Sequence, residues 1–283
     1  MGKTFIPAQR RQRIQDLLRS QHVVSSAALS DMLGASEATI RRDLEWLEAQ
    51  GLLERTHGGA ILSRPLPAEP PYASSEQIHP EEKRWIGRAA ASLVESGDTV
   101  FINSGTTAAE VLRHVWRRDD LERVTVVTNH VGAALEAPDG RFEIMLLGGI
   151  FRPRSHSVVG VTAVESLRQI YATKCIIGVD GISVRHHLTT PVGAEAEIAK
   201  VMIERTQGSV VIVADHSKWG VVSNFQVARL DQVHMLVVDE GMDPKAIAEL
   251  SAHTIRVITA GPVAGPVAGA EREWPPPARE GKG

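Results

Sequence analysis

The heptapeptide FINSGTT, residues 101–107, closes an apolar run with polar side chains, and AAEVLRHV follows at once. A strand that turns through a Gly/Ser/Thr loop into a helix exposes backbone N–H groups at the helix N-terminus. Here the hydroxyls of Ser104, Thr106 and Thr107 stand beside them. Such a loop suits a phosphate or carboxylate, because unpaired N–H groups and the helix dipole both favour an anion. Four further apolar runs end in polar or glycine residues. They are followed by Thr128, Asn129 and His130; by Gly148 and Gly149; by Asp180 and Gly181; and by Asp215, His216, Ser217 and Lys218. On one sheet edge these groups would supply an anion loop, close-approach glycines, amides for sugar hydroxyls, and Lys218 as a counter-charge. They could hold a phosphorylated molecule, or transform it, since Glu195 and Lys218 are residue types able to serve as base and electrophile. Asp215, His216 and Ser217 are not read as a hydrolytic triad, because sequence neighbours do not give triad geometry. His186 and His187 sit in a polar connection and read as a solvated loop. No other histidine has a partner at metal-ligand spacing, so neither a metal nor a cofactor is expected.

A second chemistry is written near the start of the chain. Three segments carry the 3.6-residue period of helices. The first, Pro7 to Gln21, puts Ile14, Leu17 and Leu18 on one face; the second, Ser26 to Leu33, is capped by Ser25 or Ser26. Gly34 and Ala35 make a tight turn, Ser36 caps the third helix, and Glu37 complements its dipole. In that third helix Ile40, Leu44 and Leu47 form one stripe. The opposite face carries Ala38, Arg42 and Glu45, flanked by Thr39 and Arg41. Adjacent arginines are commonly just a solvated face. A helix that buries one stripe and shows Thr and paired Arg near its N-terminus also suits the major groove, where Arg binds guanine bidentately. The context favours the groove, since LLERTHGGAIL reads as two short strands about Gly58 and Gly59, a small wing. Arg55 and His57 on that wing would reach backbone phosphates, and Arg10, Arg11 and Arg13 add positive charge.

These groups need elements to position them. Beyond residue 81, apolar β-runs at 99–103, 124–128, 142–147, 174–179, 209–214, 234–238 and 254–258 alternate with helical patterns. That alternation indicates an α/β fold with a mainly parallel sheet covered on both faces, and ligands bind such sheets beyond the carboxyl ends of the strands. The organisation expected is a helix-turn-helix unit at 1–61, a Pro- and Ser-rich linker at 62–80, a larger α/β domain at 81–258 and a disordered tail at 259–283. The 283 residues are 43% hydrophobic and 23% charged, enough for a sizeable core, and the net charge of −3 shows no overall nucleic-acid bias. The one cysteine, Cys175, excludes an internal disulfide and reads as a small buried hydrophobe. No signal-peptide h-region and no apolar run long enough to span a membrane are visible, so the expectation is a cytoplasmic chain without membrane contact.

The stretch SEATIRRDLEWLEAQGLLERTHGGA closely resembles the winged helix-turn-helix of DeoR-type bacterial transcription regulators, over about residues 6–61. The resemblance implies operator contacts by Thr39, Arg41 and Arg42, with the wing at His57, Gly58 and Gly59 nearby. Ser36, Ala38 and Arg55 complete the candidate DNA-binding set. Residues 75–240 resemble the sensor domain of the same family through EEKRWIGRAAASLVESGDTVFINSGTT, VTVVTNH, LLGG, GVDGI, EAEIAKVMI and ADHSKWG. That domain is similar to ribose-5-phosphate isomerase and the CoA-transferase-like fold. It implies a phosphorylated sugar or sugar-derived effector held by a loop of Ser104, Gly105, Thr106 and Thr107, with Asn129, Asp180, Glu195 and Lys218 as further contacts. Asn103, Gly148, Gly149 and Gly181 complete that set. One departure is Asn103, where the family has Asp; it predicts an effector with more negative charge or a different hydroxyl pattern. The function implied is a repressor of a carbohydrate operon, relieved by its effector, not an enzyme, acting as a homo-oligomer (dimer or tetramer) on operator DNA. The runner-up is a sugar-phosphate isomerase with an accessory DNA-binding module.

Overall fold

In this computed structural model, residues 5–21, 23–49, 53–56, 58–61, 69–138 and 140–262 are described. His57, part of the expected linker (62–68) and the tail from 263 lie outside the described residues.

The N-terminal unit contains α1 (Pro7–Gln21), β1 (Val23–Ser25), α2 (Ser26–Leu33), α3 (Glu37–Ala49), β2 (Glu54–Thr56) and β3 (Gly59–Ile61). The predicted stripes meet in one core: Ile14, Leu18, Leu29, Leu33, Ile40, Leu44 and Leu47 are buried together with Val24, Leu53 and Ala60. Ser25 caps α2 by accepting from Ala28 N–H at 3.1 Å. Gly34 ends that helix in the left-handed region at φ 60°, which costs glycine no Cβ clash. The wing has one strand more than the sequence shows, because β1 pairs with β3 to give the order β1-β3-β2. Gly59 permits this pairing, since a Cβ there would lie 2.2 Å from the Val24 carbonyl oxygen.

The larger unit runs through α4 (Tyr72–Glu76), α5 (Pro80–Ala91), β4 (Thr99–Ile102), α6 (Thr106–Trp116), β5 (Thr125–Thr128), α7 (Val131–Leu135), β6 (Glu143–Leu146), β7 (Ile150–Arg152), β8 (Ser157–Val159) and α8 (Val161–Arg168). It continues through β9 (Ala172–Gly178), β10 (Gly181–Ser183), β11 (His187–Thr190), α9 (Gly193–Glu204), β12 (Thr206–Val213), β13 (Phe225–Ala228), β14 (Met235–Asp239), α10 (Pro244–Ala252) and β15 (Arg256–Ala260). All seven expected runs enter one sheet of order β15-β14-β12-β9-β4-β5-β6, with every neighbouring pair parallel. Alternate residues feed opposite faces. Phe101, Cys175, Ile177 and Ile212 join a core with Leu167, Ile198 and Leu250 of α8, α9 and α10. Val100, Ile102, Ile176 and Val213 join another with Ile86 and Leu112 of α5 and α6. From β4 the chain steps outward to β5 and β6, then returns to the other side of β4 and proceeds through β9, β12, β14 and β15. The direction reverses between β4 and β9, which is where open α/β sheets leave a crevice.

Three features depart from the expected outline. An antiparallel hairpin, β7–β8, and a small antiparallel sheet, β10-β11-β13, flank the main sheet. Helix α4 lies within the stretch expected as linker, with Tyr72 only 8% exposed. The main sheet also runs past residue 258: Ala260 pairs with Asp239, and Arg88 Nη2 donates to Gly261 O at 2.8 Å. Among the described residues, no helix is long and apolar enough to cross a membrane.

Candidate functional site

A cavity of about 220 Å³ opens at the β4/β9 reversal. Its framework is an amide clasp between the two strand ends. Asn103 Nδ2 donates to Gly178 O at 3.0 Å, and Gly178 N–H donates to Asn103 Oδ1 at 2.7 Å. Both polar atoms of Asn103 are therefore engaged with backbone. Asn103 also borders the cavity, and this clasp gives the amide at this position a structural role. After Asn103, Gly105 takes φ 122°, a value that favours glycine, and α6 begins without a side-chain cap. Its first-turn N–H groups have no intrahelical acceptor and face the site with Ser104, Thr106 and Thr107, which line the cavity.

Three cationic side chains border the same space: Lys83, Arg154 and Lys218. Lys83 is 3% exposed and donates to the carbonyls of Ser75 (2.5 Å) and Ile78 (2.6 Å). Burial lowers its pKa, and the charge of Asp215 works against that. Lys218 stands on the 3-10 turn His216–Lys218, which Asp215 caps by accepting from Ser217 N–H at 3.0 Å. Asp215 is fully buried, and among the described residues its Oδ2 has no hydrogen-bond partner. Burial pushes its pKa up, but Lys218, the Ser217 hydroxyl and Lys83 outweigh burial and hold it below the ordinary carboxylate value. The opposing charges are carboxylates. Asp180, raised by burial, accepts from Thr190 Oγ1 at 2.7 Å. Glu195, also raised by burial, accepts from Arg152 Nη1 (2.7 Å) and Ser157 Oγ (2.9 Å). The arrangement offers N–H groups and cations to an anion, and carboxylates that can accept from hydroxyl groups.

The structure thus brings Asn103, Ser104, Gly105, Thr106, Thr107, Asp180, Glu195 and Lys218 to one cavity. It does not place Asn129, Gly148, Gly149 or Gly181 on its wall. Asn129 is 1% exposed and supports the loop from behind, its Nδ2 donating to Ser104 Oγ (3.3 Å) and Val158 O (3.1 Å). Gly149, at φ 147°, lets the chain pass the β8 backbone, since a Cβ would lie 2.6 Å from Val159 O. Gly181 packs equally closely, 2.3 Å from Val221 O by the same measure. Lining residues that sequence reasoning missed include Glu69, Lys83, Arg154 and Thr190. Lys83 sits in EEKRWIG, which reads as a solvated helix face, and nothing in the local pattern marks it as buried.

The N-terminal unit presents a different surface. Ser36 caps α3, with its carbonyl accepting from Thr39 N–H at 2.8 Å and its hydroxyl 2.9 Å from Thr39 Oγ1. Ala38, Arg41 and Arg42 are exposed and Thr39 is half-buried. Among the described residues, Arg41 and Arg42 have no hydrogen-bond or ion-pair partner, so their guanidinium groups are open to a ligand. Three other basic residues are engaged within the unit. Arg10 Nε (2.5 Å) and Arg11 Nε (2.8 Å) donate to the carboxylate of Asp43, itself 2% exposed. Arg55 pairs with Glu45 at 3.1 Å, which ties the wing to α3. Trp46 is 44% exposed and carries Arg11 over its ring at 4.2 Å, a packing role on the helix surface. Gly58 is half-buried, Gly59 is a packing residue of β3, and His57 lies outside the described residues.

A winged helix that exposes Arg41 and Arg42, and an α/β domain whose cavity is bordered by a helix N-terminus and cations, are the parts of a ligand-responsive transcription regulator. Family comparison makes this specific. Residues 10–65 match the DeoR-like helix-turn-helix domain and residues 78–240 match the DeoR C terminal sensor domain. The chain belongs to the DeoR family of DNA-binding transcription regulators. It is similar to the HTH-type transcriptional regulator GlpR of Haloferax volcanii, at 35% identity over 254 residues, 90% of this chain and 98% of the relative. It is also similar to the HTH-type transcriptional repressor GlcR of Bacillus subtilis, at 34% identity, covering 80% of this chain and 86% of the relative. The transcriptional repressor AccR of Agrobacterium fabrum is 33% identical, with coverages of 82% and 89%. Among solved structures, ribose 5-phosphate isomerase A of Methanocaldococcus jannaschii aligns at TM-score 0.35 and 17% identity, over 50% of this chain and 54% of that one. The full-length sorbitol operon regulator SorC of Klebsiella pneumoniae aligns at TM-score 0.34 and 11% identity, over 76% and 91%.

Proposed function

We propose that this protein represses a carbohydrate-metabolism operon and releases it when a phosphorylated sugar or sugar derivative occupies the β4/β9 cavity. The observation that carries the reading is the uncapped N-terminus of α6 facing a cavity that also holds Lys83, Lys218 and Arg154. A phosphate fits the N–H groups and cations, and sugar hydroxyls fit Asp180 and Glu195. On the DNA side, Thr39, Arg41 and Arg42 read bases from α3. A homo-oligomer, dimer or tetramer, supplies the paired heads that repeated half-sites require. The chain detects its ligand without converting it. Support comes from the match to DeoR-family domains and from relatives named as transcriptional regulators and repressors.

The test is a thermal-shift screen of pentose 5-phosphates, hexose 6-phosphates and hexose 1-phosphates, followed by operator binding with the sugar phosphate that binds. Thr107→Val and Lys218→Ala are expected to abolish the ligand response while operator affinity without ligand stays within about twofold, well under the 5–150-fold range of allosteric coupling. Loss of operator binding in the absence of ligand would contradict the division of roles. Aldose–ketose turnover with the same panel would overturn the sensing reading.

A further inference from the structure

The proposed effector site has a wall made by the chain that connects it to the DNA-reading unit. This inference rests on reading the cavity as an effector site. Glu69, Pro70, Tyr72, Ser75 and Ile78 all line the cavity, although they precede α5 and the sheet. Side chains of the sensor domain fasten this segment at several points. Arg152 Nη2 donates to Glu69 Oε2 at 2.6 Å, while its Nη1 donates to Glu195 Oε1 at 2.7 Å. Arg154 Nε donates to Glu69 O at 2.6 Å, and Tyr72 N–H donates to Arg154 O at 2.9 Å. Lys83 closes the far end by donating to the carbonyls of Ser75 and Ile78. Tyr72 stacks on His156 at 4.4 Å and meets His130 Nε2 at 3.2 Å. One guanidinium thus joins two cavity-lining carboxylates, Glu69 on the connecting segment and Glu195 on α9.

We propose that Glu69 is a ligand-contacting residue, and that residues 69–78 form a strap through which the bound ligand acts on the DNA-reading head. A polyhydroxylated ligand anchored by its phosphate at residues 104–107 donates hydroxyl hydrogen bonds to Glu69 and Glu195. It thereby bridges strap and sheet. A ligand that touches both bodies favours the state in which they are joined. Operator DNA and ligand then oppose each other through the strap, and the coupling is reciprocal. A ligand confined to the phosphate loop, such as inorganic phosphate, binds without moving the strap.

Hydrogen exchange of the full-length protein, read with operator binding, decides the matter. Inorganic phosphate is expected to protect amides of residues 104–109 only. A sugar phosphate that binds is expected to slow exchange over 70–78 as well, by roughly tenfold. In Glu69→Gln the sugar phosphate should still protect 104–109, yet its effect on operator affinity should fall below about twofold, under the usual coupling range. A sugar phosphate that protects the loop but not 70–78, or a Glu69→Gln protein with full operator response, overturns the proposal. If no sugar phosphate binds, the effector reading fails by itself, and the strap is judged without ligand. Glu69→Gln and Arg152→Gln must then speed exchange over 70–78 while β4 and α6 stay unchanged. Unchanged exchange at 70–78 overturns it whatever the cavity binds.

Discussion

One carboxamide, that of Asn103, joins the two strand ends at which the sheet reverses direction. An aspartate there could still accept from Gly178 N–H, but its second oxygen would face the Gly178 carbonyl with no proton between them. Asn103→Asp is therefore expected to lower stability by about 1–3 kcal/mol, the cost of an unsatisfied buried polar contact. Urea unfolding at pH 7 measures it, and an unchanged midpoint would mean that the clasp contributes nothing. Arg42 poses the corresponding question on the DNA side. With its guanidinium unpaired among the described residues, Arg42→Ala should relax sequence preference at one operator position by about 1–3 kcal/mol. A uniform loss across all DNA sequences would instead assign that side chain to the phosphate backbone. Arg10 and Arg11 warn against counting arginines, because an identical residue type next to a buried carboxylate is structural.

At the scale of elements, α3 is fixed by more than its apolar stripe. Asp43 lies among buried residues of that helix and holds two arginines of α1. Asp43→Ala should cost about 2–3 kcal/mol, somewhat below a fully buried pair because both guanidiniums keep some contact with water. Thermal unfolding of the full chain, compared with Arg10→Ala, tests it, and a loss under about 0.5 kcal/mol, the scale of a surface substitution, would reject the assignment. The stripe Ile40, Leu44 and Leu47 was legible because a 3.6 period is a strong signal, whereas Asp43 reads as one more solvated charge. The seven strands of the main sheet were legible as continuous apolar runs, although the edge strands β6 and β15 keep much of their surface exposed. The elements that wall the cavity were not. The turn that brings Arg154 and Ser155 to it joins β7 and β8, three residues each and too short for any period, and α4 hides among prolines and serines. Lys83 and Glu69 are ordinary surface residue types whose burial depends on contacts distant in the chain. The loop at 103–107 was readable because it is local, and its surroundings were unreadable because they are not.

For the molecule as a whole, His130 sets a pH dependence of folding. It is 1% exposed, and burial, aided by His156 and Arg113, lowers its pKa to about 4. The unfolded chain binds this proton near pH 6.5, so the native state is the poorer proton acceptor. The contribution is complete above about pH 6.5, is lost as pH falls toward 4, and amounts to about 3 kcal/mol in all. Denaturant unfolding between pH 7.5 and about 4 should show this slope. His130→Asn keeps an acceptor for Ala133 N–H, which His130 Nδ1 now provides at 3.0 Å, and should flatten the slope. Parallel profiles for the two proteins would locate the dependence elsewhere.

The order of strands carries a further consequence. The head closes on contacts made within its first 61 residues, whereas Asn103 must await Gly178, 75 positions later, and the sheet gains its edge strand only at Ala260. Chains emerge N-terminus first, and distant pairings form slowly. During synthesis the promoter reader is thus finished well before its receiver exists. A product cut short between the two would carry a folded helix-turn-helix unit with no cavity beside it.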